Sequence, residues 1–145
     1  MKYTQEIEIN RPIDEVVALF KNPENLYKWM DGLQSYQQLS GVPGQPGAKS
    51  KLEFKMGKRE IEMVEIIKVN DLPEEFTATY EAKGVFNVIS NKFIELPDGR
   101  TRYITENEFR FKGFMKLMGW LMPGAFKKQS WKYMLAFKEF VEDQK

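Results

Sequence analysis

Chemistry in this chain has to proceed without its commonest agents. The sequence contains neither histidine nor cysteine. That excludes Ser-His-Asp and Cys-His nucleophiles, thiolate clusters and histidine-based metal centres, and leaves carboxylates, Tyr, Lys, Arg and backbone groups. Three arrangements could use them. Acid pairs at Glu60 and Glu62, Glu74 and Glu75, and Glu106 and Glu108 have the composition of a general acid–base site. The alternating pairs, however, fall on a solvent-facing strand parity and Glu74-Glu75 sits at a turn, so they read as solvated charges. The segment Gly41 to Ser50 has the look of a phosphate loop, but its spacing is wrong, Pro43 and Pro46 remove amide donors, and a strand follows instead of a helix. It reads as a rigid surface loop. The third arrangement is a set of polar groups on otherwise apolar inner faces: Tyr103, Thr105 and Asn107 on one strand, with Ser130 and Tyr133 opposite them on a helix. A buried polar side chain left without a partner costs about 1–3 kcal/mol. These five are therefore expected to meet as one cluster, which either fixes the polar head of a bound apolar molecule or satisfies itself as a core network. No catalytic residue, metal ligand or cofactor site is assigned.

The elements that must position these groups follow from periodicity. After Pro123, Phe126, Ser130, Tyr133, Met134, Phe137, Phe140 and Val141 share one helical face, while Lys127, Lys128, Lys132, Lys138, Glu139 and Glu142 share the other. The stretch from Gly113 to Lys145 is the only one long enough for a core helix. Lys2 to Ile9 alternates as a half-buried strand, with Tyr3, Gln5, Ile7 and Ile9 inward. Asn10 is expected to cap a first helix that buries Val16, Val17, Leu19 and Phe20; Asn22-Pro23 ends it. Glu24 to Met30 predicts a second short helix burying Leu26, Tyr27, Trp29 and Met30. Six further strands are predicted at Leu33–Ser40, Ala48–Met56, Arg59–Val69, Glu75–Ala82, Val85–Leu96 and Arg100–Lys112, joined by turns such as Asp98-Gly99. Parity sends Leu52, Phe54, Met56, Ile61, Met63, Ile67, Phe76, Ala78, Tyr80 and Ala82 inward; the faces of Val85–Leu96 mix polar and apolar residues and stay unassigned.

The 145 residues suit one domain, 1–145, of the α+β class: a curved seven-stranded antiparallel sheet wrapped around a long C-terminal helix, with two short helices between the first and second strands. A net charge of +1 gives no global field for nucleic acid. With no apolar run long enough for a membrane span and no signal-peptide pattern, a soluble, cytoplasmic protein is expected. Phe114 to Met122 is the most apolar stretch. It fits a buried lead-in to the closing helix, or a lid over a lipophilic pocket that flanking lysines bring transiently to an anionic membrane surface. Pro123, Gly119 and Gly124 should make it open more readily than the helix that follows.

The order strand, two short helices, six strands and long helix is that of the helix-grip fold. With Ile7 to Val16, Pro23 to Trp29, Pro97 to Arg102 and the aromatic closing helix, the chain resembles the SRPBCC, or START-like, superfamily in its polyketide cyclase/dehydrase and lipid transport branch. The resemblance implies a cavity between sheet and closing helix. Its wall would carry Phe54, Met56, Met63, Phe76, Tyr80, Tyr103, Thr105, Asn107, Met118, Phe126, Ser130, Tyr133 and Met134, and its occupant would be a small hydrophobic ligand such as a lipid or an aromatic metabolite. Two alternatives stay open: an enzyme of the polyketide cyclase/dehydrase kind acting through shape and Tyr, Asn or Lys groups, and an interaction module like the chaperone activators of the superfamily.

Overall fold

Period-two patterning is realised as seven strands in the computed structural model, which describes residues 1–145. They are β1 (Lys2–Ile9), β2 (Leu33–Ser40), β3 (Lys49–Met56), β4 (Arg59–Asp71), β5 (Glu75–Ala82), β6 (Val85–Glu95) and β7 (Thr101–Phe111). They form one antiparallel sheet in the order β1-β7-β6-β5-β4-β3-β2. From β2 onward each strand pairs with the next, as the short turns require. β1 instead lies at the far edge beside β7, because the helices between β1 and β2 carry the chain across the sheet. An extra residue in β4, at the register shift between Ile67 and Val69, and further shifts in β2 bend the sheet around its inner face.

Helix α1 (Ile13–Phe20) is followed by a 3₁₀ turn (Pro23–Asn25) and the single-turn α2 (Leu26–Trp29). Asn10 does not cap α1. Pro12 holds the cap position in extended conformation, and the Asn10 amide instead donates to the Glu142 carboxylate at 2.7 Å. The proline ring fixes the extended-to-helix junction that a capping side chain usually makes. Asn22 does cap, its Oδ1 accepting from the Glu24 amide at 3.1 Å. Tyr27 also departs from expectation. It is exposed, and its hydroxyl accepts a bond from the Tyr36 amide at 2.9 Å, which keeps the ring at the surface.

The C-terminal segment is two helices, α3 (Phe114–Leu121) and α4 (Pro123–Glu142), parted at Met122, whose backbone (φ −132°, ψ 51°) is not helical. Proline opens α4 because its missing amide falls where none is needed. The stripe on α4 is as the periodicity predicts: Met134, Phe137 and Val141 are buried against Ile7, Ile9, Phe93 and Tyr103, while Val16 and Trp29 close over them. Phe20 lies edge-on to Phe93 at 5.0 Å and to Phe137 at 5.7 Å, and Phe93 stacks on Tyr103 at 4.7 Å. The Arg11 guanidinium donates to the carbonyls of Val141, Glu142 and Gln144, covering acceptors that the end of α4 leaves open. The larger packed core thus sits at the end where α1, α2 and the C-terminal half of α4 converge, with a smaller cluster of Leu33, Leu52 and Phe54 beside it. Phe137→Ala is expected to cost about 3–5 kcal/mol in urea unfolding, and Met63→Ala, half-buried at the edge of the smaller cluster, clearly less. Equal losses at the two positions would contradict a one-ended core.

Candidate ligand-binding cavity

The N-terminal half of α4 meets the sheet along β1 and at Phe109 and Phe111 of β7, α3 meets it only at a seam on Phe111 and Gly84, and between these helices and the rest of the sheet lies a cavity of about 1880 Å³. That exceeds the roughly 300–1,000 Å³ of ordinary small-molecule pockets. All thirteen residues expected on its wall are there. β3 and β4 contribute Phe54, Met56 and Met63; β5 contributes Phe76 and Tyr80; β7 contributes Tyr103, Thr105 and Asn107. Met118 comes from α3, and Phe126, Ser130, Tyr133 and Met134 from α4. The wall is mainly apolar, with 29 hydrophobic residues of 51. Pro43, Gly44 and Gln45 of the surface loop also border it, and β6, unassigned from sequence, turns Val85, Asn87, Ile89 and Asn91 toward it.

The five polar residues do not form one cluster. Tyr103 donates to Asn91 Oδ1 at 2.6 Å, and Asn91 donates onward to the Phe76 carbonyl at 3.1 Å. Asn107 donates to Thr105 Oγ1 at 3.3 Å, and Thr105 donates to the Met134 sulfur at 3.4 Å. Ser130 is held by Tyr3 on β1, hydroxyl to hydroxyl at 2.6 Å, while Tyr133 has Gln129 of its own helix beside it. The reason is reach: Tyr103 finds its partner on the neighbouring strand, Asn107 on its own strand and Thr105 on the helix at Met134, while α4 lies closest to β1 and gives Ser130 to Tyr3. Burial raises the Tyr103 and Tyr133 hydroxyls above their usual pKa, and raises Tyr3 against the opposing bond from Ser130. All three are neutral donors at physiological pH.

The most polar group on the wall is one that parity could have flagged. Glu65 interrupts the inward row Ile61, Met63, Ile67, and is only 6% exposed. Its Oε1 accepts from the Tyr36 hydroxyl at 2.9 Å and its Oε2 from the Tyr80 hydroxyl at 2.7 Å. Register puts Glu65 opposite Tyr80 on β5, with Tyr80 opposite Asn87 on β6; Tyr36 on β2 lies opposite Leu52, two residues along β3 from Ser50, and reaches Glu65 diagonally across that strand. Burial pushes the Glu65 carboxyl up, and the two tyrosine bonds only partly oppose it. Tyr36 is pushed up to about 12 by burial and then by the Glu65 charge, and Tyr80 well above its usual value for the same reasons.

α3 is not a buried lead-in. Gly119 is buried against the Phe111 ring, where an added Cβ would come within 2.5 Å, and Met118 faces the cavity. Phe114 and Trp120 are 73% and 77% exposed, and Leu117, Leu121 and Met122 are exposed too. An eight-residue helix with so few polar positions has apolar side chains on both faces and can bury only one.

The raised Glu65 carboxyl has a consequence for stability. Between its unfolded and folded pKa the folded state holds the extra proton, so stability is full below the unfolded value and declines as pH rises through the folded one. Glu65→Gln removes this titration and can still bond both tyrosines. Relative to the parent, the variant is expected to gain stability from pH 4 to pH 8 in urea titrations; a gain that shrinks with rising pH would contradict it.

Residues 1–136 match the family described as polyketide cyclase / dehydrase and lipid transport. No curated protein matches the sequence. Among solved structures, the chain is similar to Ara h 8.0201, with TM-score 0.78, 16% identity and 99% of both chains covered. It is similar also to the Zhui aromatase/cyclase from Streptomyces sp. R1128, with TM-score 0.81, 10% identity, and 98% of this chain and 93% of that one covered. TTHA0849 from Thermus thermophilus gives 0.76 at 14% identity over 97% of each chain. At such identities these likenesses concern the fold, and they agree on it: a curved seven-stranded sheet with a long C-terminal helix. With the family match spanning nearly the whole chain, the protein belongs to the polyketide cyclase/dehydrase and lipid transport family of the SRPBCC superfamily.

Proposed function

We propose that the protein binds a small, largely apolar molecule in the cavity between sheet and helices. The observation that carries this is the volume itself, about 1880 Å³ left unfilled beside a densely packed aromatic core. A chain able to pack Phe20, Trp29, Phe93, Tyr103 and Phe137 so closely at one end has no packing need for a void at the other. The wall offers apolar area for affinity and a few fixed polar groups for orientation, the usual make-up of a ligand pocket. Nothing on the wall pairs a nucleophile with a base, so binding accounts for the site better than turnover does. Native mass spectrometry of protein purified gently from its own cells is expected to show a bound small molecule. Apo protein alone, together with no binding across fatty acids, sterols, aromatic polyketides and apolar amines, would overturn the reading.

The exposed face of α3 supports a further contact, with an anionic membrane surface. Phe114, Leu117, Trp120 and Leu121 project outward while Lys112, Lys116, Lys127 and Lys128 stand exposed around them, a composition suited to interfacial insertion beside acidic headgroups. No helix is long and apolar enough to cross a membrane, so the contact is peripheral. Cosedimentation with phosphatidylcholine vesicles containing one third phosphatidylglycerol is expected to retain the protein, and Trp120→Glu to release most of it. Equal retention by pure phosphatidylcholine, or by the variant, would remove the proposal.

A further inference from the structure

Glu65 is the one buried charge on the cavity wall. The other charged residues there, Lys21, Arg59, Glu60, Glu62, Asp71, Lys83 and Lys112, are all exposed. None of the ion pairs in the chain includes Glu65. An ionised carboxylate has about four lone-pair positions, and Tyr36 and Tyr80 fill one on each oxygen. Both tyrosines spend their single protons on Glu65, so what their oxygens have left to offer is acceptor capacity. One register position beyond Tyr80, the buried Asn87 Oδ1 also has no partner. Around the carboxylate this part of the wall therefore offers acceptors and a negative charge; the Ser50 hydroxyl is taken up by Tyr36, and the Asn87 side-chain amide adds a donor beside its unpaired oxygen. A buried carboxylate without a cation is costly, and it is stabilised when a cation with matching donors is brought against it.

We infer that the cavity's ligand carries a protonated amine seated on the Glu65 carboxylate between Tyr36 and Tyr80, with its apolar body lying along the sheet toward Phe54 and Met63. An ammonium has three donors and a full charge, enough to bond a carboxylate oxygen and a tyrosine oxygen together. The same wall disfavours a ligand whose head is itself an anion, because a second carboxylate would face Glu65 across a low-dielectric space. Two strands along, at about 10 Å, Asn87 Oδ1 offers a seat for a hydroxyl or N–H further along the ligand.

This inference rests on the cavity's being a ligand site, and the test separates the two. Isothermal titration at pH 7 compares three probes that share one ring system: 2-(2-naphthyl)ethylamine, 2-(2-naphthyl)ethanol and 2-naphthylacetate. The amine is expected to bind at least tenfold more tightly than the alcohol, and the acetate most weakly. Glu65→Gln should bring the amine within about threefold of the alcohol as both bind the variant, and a cooperative urea transition shows that the variant is folded. Glu65→Met, close in volume, serves as a second variant with the same expected loss. Tyr80→Phe, which removes one bond to the carboxylate but keeps its charge, should retain a reduced preference. If the alcohol binds and the amine binds no better, the amine inference falls and the ligand site stands. A preference that survives in Glu65→Gln also overturns it. Binding of none of the three to the parent removes both.

Discussion

Everything in this molecule depends on one geometric mismatch, a straight helix that runs beside the edge strand β1 of a curved sheet but packs deeply into its face at one end only. α4 has 20 residues, about 30 Å of rod. Its C-terminal half is seated by Met134, Phe137 and Val141 among the aromatic rings of Phe20, Trp29, Phe93 and Tyr103. Its N-terminal half departs from a sheet that bulges in β4 and bends away from it, and touches the wall through Phe126 against Phe109 and Phe111. Stability is therefore concentrated at one end and space at the other. A straight helix cannot follow a twisted sheet along its whole length, and the side chains at the open end are too few and too flexible to fill the gap.

The polar interior is ordered by strand register. Residues on adjacent strands lie close enough for side chains to bond, as Tyr103 does with Asn91 and Tyr80 with Glu65, while Tyr3 and Thr105 bond to the helix at Ser130 and Met134. Tyr3 lies opposite Asn107, and Thr105 opposite Asn91. The Tyr3–Asn107 row continues across the sheet as Ile89, Ala78 and Ile67, an apolar run that lies between the Asn91 row and the Glu65 row. The cavity wall thus changes from internally satisfied hydrogen bonds near the core to an acceptor-rich patch nearer α3. The first needs nothing from a ligand, and the second does.

What could be read from the sequence was what repeats. Alternation located every strand to within about two residues, and the Asp98-Gly99, Lys83-Gly84 and Gly57-Lys58 turns implied the meander. The helical period placed the α4 stripe correctly, because seven positions in phase outweigh any single side chain. The failures were single residues. Glu65 is not singled out by composition or motif, although its parity with Met63 and Ile67 places it inward. β6 could not be oriented because Asn87 and Asn91 point in while Val88 and Ile94 point out, and only pairing with β7 resolves that. The polar cluster failed because opposing faces were matched by type, whereas the partner of Ser130 is Tyr3, more than a hundred residues earlier in the chain.

α3 shows how far composition can mislead about burial. Seven apolar residues in nine between Phe114 and Met122 ordinarily mark a core segment. Here the helix is held to the sheet at a narrow seam, Gly119 on Phe111 and Met115 beside Gly84, where side chains larger than hydrogen would push it away. A seam that thin leaves room for one further apolar row on the inner side, and the cavity takes it through Met118. The outer row, Phe114, Leu117, Trp120 and Leu121, then has no protein left to meet. Replacing those side chains by polar ones would cost the packing of α3 little, since none of them holds it in place. Their apolar character is therefore not explained by the stability of the isolated chain, and its cause has to lie in what the outer face meets.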